Sequence, residues 1–126
     1  MTAYEIINKG FGLAGEYLDM FSDKQLAIIW LNISLAESLA AENHIRQQNN
    51  MELLSQPAVV KKLSDEVDFN TDICSIALPY GVASYLFSTR EDNYNAAVFR
   101  NRFIYALQNT AKARESAVCD VYGGQI

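Results

Sequence analysis

The stretch from Thr71 to Glu115, TDICSIALPYGVASYLFSTREDNYNAAVFRNRFIYALQNTAKARE, limits the possible fold more than any other part of the chain. Its apolar residues recur at helical spacing, and they do so on more than one side. In the first half Ile73, Ile76, Ala77, Tyr80, Ala83 and Phe87 share a face, with the small Ser84 among them. Leu78, Val82, Tyr85 and Leu86 fall opposite. In the second half Phe99, Phe103, Ala106 and Leu107 make one stripe, and Tyr94, Ala97, Val98 and Tyr105 another. The pattern predicts two helices joined by a tight connection at Ser88 to Asp92. A helix apolar on two sides is covered on two sides. In a chain of 126 residues, which is one domain's worth, the second face is expected to meet another subunit.

Within that stretch Pro79 lacks a backbone N–H and clashes with the carbonyl of Ser75, so the helix either kinks there or restarts at Pro79. Gly81 permits a neighbour to approach closely. Upstream, Thr2 and Glu5 form a capping box that opens a first helix. Gly10, Gly12 and Gly15 weaken it, and it is expected to end between Lys9 and Gly15 with a glycine in the left-handed position. Ser22 and Gln25 make a second capping box for a long helix from about Asp23 to Gln47. Its stripe is Leu26, Ile29, Trp30, Ile33, Ala36 and Ala40, widened by Ile28, Leu31, Leu35 and Leu39. Trp30, Ile33, Phe99 and Phe103 are therefore expected in the core. Residues 51–70 contain Pro57 and the β-prone Val59, Val60, Val67 and Phe69, and are expected to form an extended arm or a short β-hairpin. The expected fold is all-α: a small bundle of about four helices, with a C-terminal helical hairpin packed on the Asp23–Gln47 helix.

Composition narrows the function. The net charge is −5 and the pI near 4.7, which argues against a nucleic-acid surface built from clustered Lys and Arg. Arg90, Arg100, Arg102, Lys112 and Arg114 lie among acids and read as a solvated or subunit-pairing face. Two cysteines, Cys74 and Cys119, make neither a disulfide framework nor a zinc set; Cys74 reads as a small buried hydrophobe. There is no pattern of a secretory leader, and the apolar run Leu26 to Leu35 is far short of the ~20 residues of a membrane span.

Gly10, Gly12 and Gly15 spell GxGxxG, but a dinucleotide site needs a strand before the glycines and a helix after them. Here the preceding residues carry a helix cap, so a fraying helix end is expected. Glu37, Glu42 and the single histidine, His44, lack the Glu-x-x-His pairs of a helical metal site, and Glu42 and His44 do not share a helix face. No serine sits in a nucleophile elbow, and Cys74 has no base nearby in sequence. No catalytic, cofactor-binding or metal-binding residue is expected, and the protein is not expected to be an enzyme.

ALPYGVASYLF, then a short acidic loop and NYNAAVFRNRFIYAL, resembles the C-terminal helix pair of head-to-tail connector (adaptor) proteins of tailed bacteriophages and prophages. KKLSDEVDF is similar to the extended segment that precedes that pair. TAYEIINKGFGLAG and IIWLNISLAESLA are similar to the first and second helices. The pieces cover most of residues 2–116 in the same order. The chain departs at Gly10 and Gly12, where the family prefers helix formers, and after Ser116. The resemblance implies a virion structural protein in the neck, present in the host cytoplasm during assembly. Its implied partners are further copies of itself in a dodecameric ring, the portal protein, and the next neck or tail component. DNA would pass through the channel without specific binding, and no membrane is involved.

Residues 1–116 are then a connector-like helical domain, and 117–126 an extended tail. Tail residues Val118, Val121, Tyr122 and Ile126 are apolar and are expected to dock on a neighbour. Together with Tyr94 and Tyr105 they are the candidate subunit or portal interface. The alternative is a helical partner-binding or regulatory module of a bacterial cell.

Overall fold

A computed structural model describes the backbone of residues 1–123 and the side chains of residues 1–110. The elements are α1 (Ala3–Leu13), a 3-10 turn (Leu18–Met20), α2 (Lys24–Gln48), a π turn (Ile73–Ala77) that runs directly into α3 (Leu78–Thr89), and α4 (Asn93–Gly123). Among the described residues there is no strand, only an isolated bridge between Thr2 and Glu66. The fold is all-α.

The helix starts follow local chemistry. Thr2 and Glu5 form the capping box: Thr2 Oγ1 accepts from Glu5 N at 3.2 Å, and Thr2 N donates to Glu5 Oε1 at 3.0 Å. α1 ends at Leu13, and Gly15 takes the left-handed conformation at φ 75°. The cap of α2 is Asp23 rather than Ser22, with Asp23 Oδ1 accepting from Leu26 N at 3.0 Å. A carboxylate does there what the serine hydroxyl was expected to do.

α3 is the hub, touching each of the other three helices. Ile73, Ala77, Ala83 and Phe87 on one side are buried, and so are Leu78, Val82 and Leu86 on the other. Much of both apolar faces is thus covered by the chain itself, as α1, α2 and α4 pack around α3, while Ile76 in the π turn stays 47% exposed. Glycines make this possible. A Cβ on Gly10 would stand 2.8 Å from the carbonyl oxygen of Pro79, and one on Gly81 would stand 2.6 Å from Ser34 Oγ. These are the points where α1 and α2 cross α3 closely.

The same crossing decides which side of α2 is inside. Ser34 and Ser38 are buried at the contact, their hydroxyls donating to the carbonyls of Trp30 and Ser34 in the preceding turns. Ala27, Ile28, Trp30, Leu31 and Leu35 turn inward with them. Ile33 was expected in the core, but it is 41% exposed, and Ile29, Ala36 and Ala40 are exposed beside it. Small serines facing a glycine let two helices come together, and that outweighs the larger apolar stripe. Trp30, Phe99 and Phe103 are buried as expected. Trp30 packs with Phe11 and Phe21, whose rings meet edge to face with centroids 5.0 Å apart.

Pro79 is absorbed by the π turn. The wider turn ends where the proline's missing N–H would have been needed. Pro79 cannot serve the Ser75 carbonyl, which instead accepts from Lys9 Nζ on α1.

Residues 51–70 form an arm along the body, not a β-hairpin. An isolated two-stranded hairpin is marginal in water, and here the arm's backbone finds partners on α2. Asn43 Oδ1 accepts from Leu54 N at 2.8 Å and its Nδ2 donates to Leu54 O at 2.9 Å. Asn32 pairs with Val60 in the same way, at 2.7 and 2.9 Å. Each side-chain amide offers one donor and one acceptor, as a neighbouring strand would. Further along the arm, Ala3 N and Tyr4 N of α1 donate to the carbonyls of Asp65 and Leu63.

α3 and α4 form the C-terminal hairpin through Arg90–Asp92, with Glu91 in the left-handed conformation at φ 61°. The backbone of α4 is helical to Gly123, past Ser116, where an extended tail was expected. Val118, Val121 and Tyr122 recur at helical spacing, consistent with the helix continuing.

Candidate functional site

Three helices meet at one polar cluster. Glu37 on α2 accepts from Tyr85 on α3, Oη to Oε1, at 2.7 Å. Arg100 on α4 donates to both carboxylate oxygens of Glu37, with Nη1 to Oε1 at 2.9 Å and Nη2 to Oε2. The two-pronged arginine fixes the angle between α2 and α4. Its bond holds Glu37 below the usual carboxylate range, helped by Tyr85. Burial, and then the bond to Glu37, push Tyr85 up to about 12. The cluster is thus a neutral phenol and a charge-neutral ion pair over a wide range of pH. Glu37 was considered above as a metal ligand and Arg100 as part of a basic strip; the structure makes them partners.

Beside this cluster a groove of about 440 Å³ runs between α2 and α4, with Ala40, Ala41, Phe103, Ile104 and Leu107 in its walls. On the other flank of α4 a second groove of about 350 Å³ is lined by Ile76, Tyr80, Arg102 and Tyr105. α4 is therefore a ridge between two grooves. Its crest carries Tyr94, 79% exposed, and Tyr105, 64% exposed, about three turns apart on one side of the helix. Those two candidate interface residues do share an outward surface. Val118, Val121 and Tyr122 fall on the part of α4 whose side chains lie outside the described residues, and Ile126 lies outside them altogether.

A second polar cluster was not anticipated. Glu42 was expected at a solvated helix end, yet it is 3% exposed, and Arg46 is 8% exposed. Arg46 Nε donates to Glu42 Oε2 at 2.6 Å, and Nη2 donates to the Asp68 carbonyl at 2.9 Å. Glu42 Oε1 accepts from Asn70 N at 2.7 Å. The arm folds over the end of α2 and desolvates the pair, which is satisfied by backbone groups from both ends of the arm. The one signal in the sequence is the Glu–Arg spacing of four.

Gly10 and Gly12 lie within α1 and Gly15 just beyond it. The GxGxxG run is a helix and its final turn, with close packing on α3 as the role of Gly10. Among the described residues, no group of three or more His, Cys, Asp and Glu side chains comes together to hold a metal, and no helix is long and apolar enough to cross a membrane. Cys74 is buried beneath the Val67 and Phe69 carbonyls, and burial raises its thiol pKa, which disfavours a nucleophilic thiolate.

No family model, curated protein or solved structure matches the chain. What the structure defines is a class: a small all-α protein whose polar clusters hold its helices together and whose apolar excess faces outward along α2 and α4.

Proposed function

We propose that this chain is a virion structural subunit, a head-to-tail connector of a tailed phage or prophage that forms a ring beneath the portal and joins head to tail. The observation that carries this reading is the outward side of α4. Most of the apolar surface of α3 is covered within the chain, whereas Tyr94, Ala97, Ile104 and Tyr105 remain exposed on its hairpin partner. Large aromatic residues left outside in this way mark protein–protein contact surfaces. The order of the connector-like sequence pieces supports the reading, as does the acidic balance of the chain, which suits a wall past which DNA moves. The two flanks of α4 differ in chemistry, as a ring contact requires, because a ring closes through two different patches on each subunit.

The test is the mass of the purified protein alone and mixed with the portal protein of the same genome, by native mass spectrometry. A multi-copy complex with the portal is expected. A chain that stays monomeric in both conditions overturns the reading. The groove between α2 and α4 favours a second reading, a helical module that grips a partner in a bacterial cell. That reading gains if the protein ignores the portal yet binds an amphipathic helix.

A further inference from the structure

The flank of α4 away from Glu37 carries a surface with unusual charge. Ile76 and Tyr80 are shared by two adjoining hollows, one of about 350 Å³ that reaches Arg102 and Tyr105, the other of about 120 Å³ that reaches Lys9 and Leu13. The walls are mostly apolar, with Ser75, Asn109 and Thr110 as neutral polar members, and the charged side chains lining them are both bases. The chain has 15 acids and 10 bases, so a groove whose charged lining is basic among the described residues runs against the balance of the surface. Arg102 lies over the Phe99 ring at 4.9 Å, and no carboxylate among the described residues pairs with it. Lys9 Nζ gives one hydrogen bond to Ser75 and has two further donors. The groove fits an aliphatic segment that carries an acid.

The chain presents such a segment elsewhere on its surface. Where the arm leaves α2, Met51, Glu52 and Leu53 are all exposed, the two aliphatic side chains by 51% and 52%. The segment is held in place from behind. Arg46 Nη1 donates to the Glu52 carbonyl at 3.3 Å, and Asn43 grips both backbone groups of Leu54. A segment already ordered in the free protein loses little entropy on docking.

We propose that Met51–Leu53 of one copy seats in the Ile76–Tyr80–Tyr105 groove of a second copy, with Glu52 between Lys9 and Arg102. Knob and groove are different patches of one molecule, so the contact is head to tail. The inference rests on the assembly reading above and names the contact that would build it. Tyrosine and arginine around an aliphatic pocket are the side chains that dominate binding energy in protein interfaces.

The experiment is sedimentation equilibrium of the whole chain over a range of concentrations, at low and high salt. The variants are Glu52→Arg, Arg102→Glu and the double reversal, each checked for folding by thermal unfolding. The wild type is expected to self-associate, less so in high salt. Each single reversal is expected to weaken association by about tenfold or more, and the double to restore much of it. If a reversal unfolds the protein, Leu53→Ser, on an exposed side chain, replaces it and is expected to weaken association too. Single variants that associate like the wild type overturn this contact and leave the ring reading standing. A wild type that is monomeric at every concentration overturns this contact, and the ring reading falls with it only if the chain also stays monomeric when mixed with the portal protein. A labelled peptide of residues 50–55 that binds a chain which does not self-associate assigns the groove to an acidic segment of another protein, and overturns the second copy as occupant.

Discussion

The Tyr85 phenol shows how far one residue's behaviour depends on neighbours remote in sequence. Its pKa of about 12 stands above the ordinary value of roughly 10, because burial strips water from the phenolate, and the bond to Glu37 and its charge add to that. A raised value means that Tyr85 contributes stability below its ordinary pKa, and that this contribution is lost as pH rises from there through about 12. Glu37 is shifted the other way. Its contribution is present above the ordinary glutamate value of about 4.3 and is lost as pH falls through the lower folded value. The cluster should therefore hold across the whole range between. Spectrophotometric titration should show a late step near 12 from Tyr85, apart from Tyr4, which its bond to Asp19 also raises, and Tyr85→Phe should remove the step near 12. Ionisation of every tyrosine together near the ordinary value would show that the cluster does not form. Sequence periodicity places each of the three residues on its own helix. It carries no register between helices, so it cannot pair Glu37 with a base on α4.

At the scale of elements, helix existence and ends were legible because caps and breakers act within four residues: Thr2 with Glu5, Gly15, and the Ser88–Asp92 connection. Rotation about the helix axis was not. Ile29 and Ile33 are stronger hydrophobes than Ser34 and Ser38, yet the serines are inside, because the Gly81 crossing admits only small groups there. The three glycines of the GxGxxG run separate these effects. Gly12 has open space around it, whereas Gly10 faces the Pro79 carbonyl. Gly12→Ala should stabilise the protein by up to about 1 kcal/mol through helix propensity. Gly10→Ala gains the same propensity but must displace backbone, and should lose roughly 1–3 kcal/mol. Denaturant unfolding of the two variants checks this; shifts of the same sign would mean that α1 does not cross α3 at Gly10.

The whole molecule depends on an arm without secondary structure of its own. Residues 51–70 read as extended from their β-prone composition, and they are extended. Of the two forms expected, extended arm or short β-hairpin, the arm is found, because α2 supplies Asn32 and Asn43 as partners. Asn43→Ala removes two hydrogen bonds at about 0.5–1.5 kcal/mol each, so roughly 1–3 kcal/mol in total, and frees Leu54. Hydrogen exchange at Leu54 and its neighbours should accelerate, with the core of α3 staying protected. Protection unchanged along the arm would show that packing, rather than Asn43, holds it. The buried Glu42–Arg46 pair escaped notice for the same reason: what buries it is the arm, which returns from far along the chain.

The bond from Lys9 to the Ser75 carbonyl joins parts of the chain that are synthesised far apart. Its ends are 66 residues apart, and α1 leaves the ribosome well before the residues that cover it. α1, with Ile6 and Ile7 fully buried in the finished protein, must wait for its contacts on α3. A pause in translation between α2 and the π turn would prolong that wait and leave α1 open to chaperones or to a neighbouring nascent chain. Translation speed through the arm therefore bears on the yield of folded protein, the more so because Val60, Val67 and Phe69 of the arm are themselves part of the core.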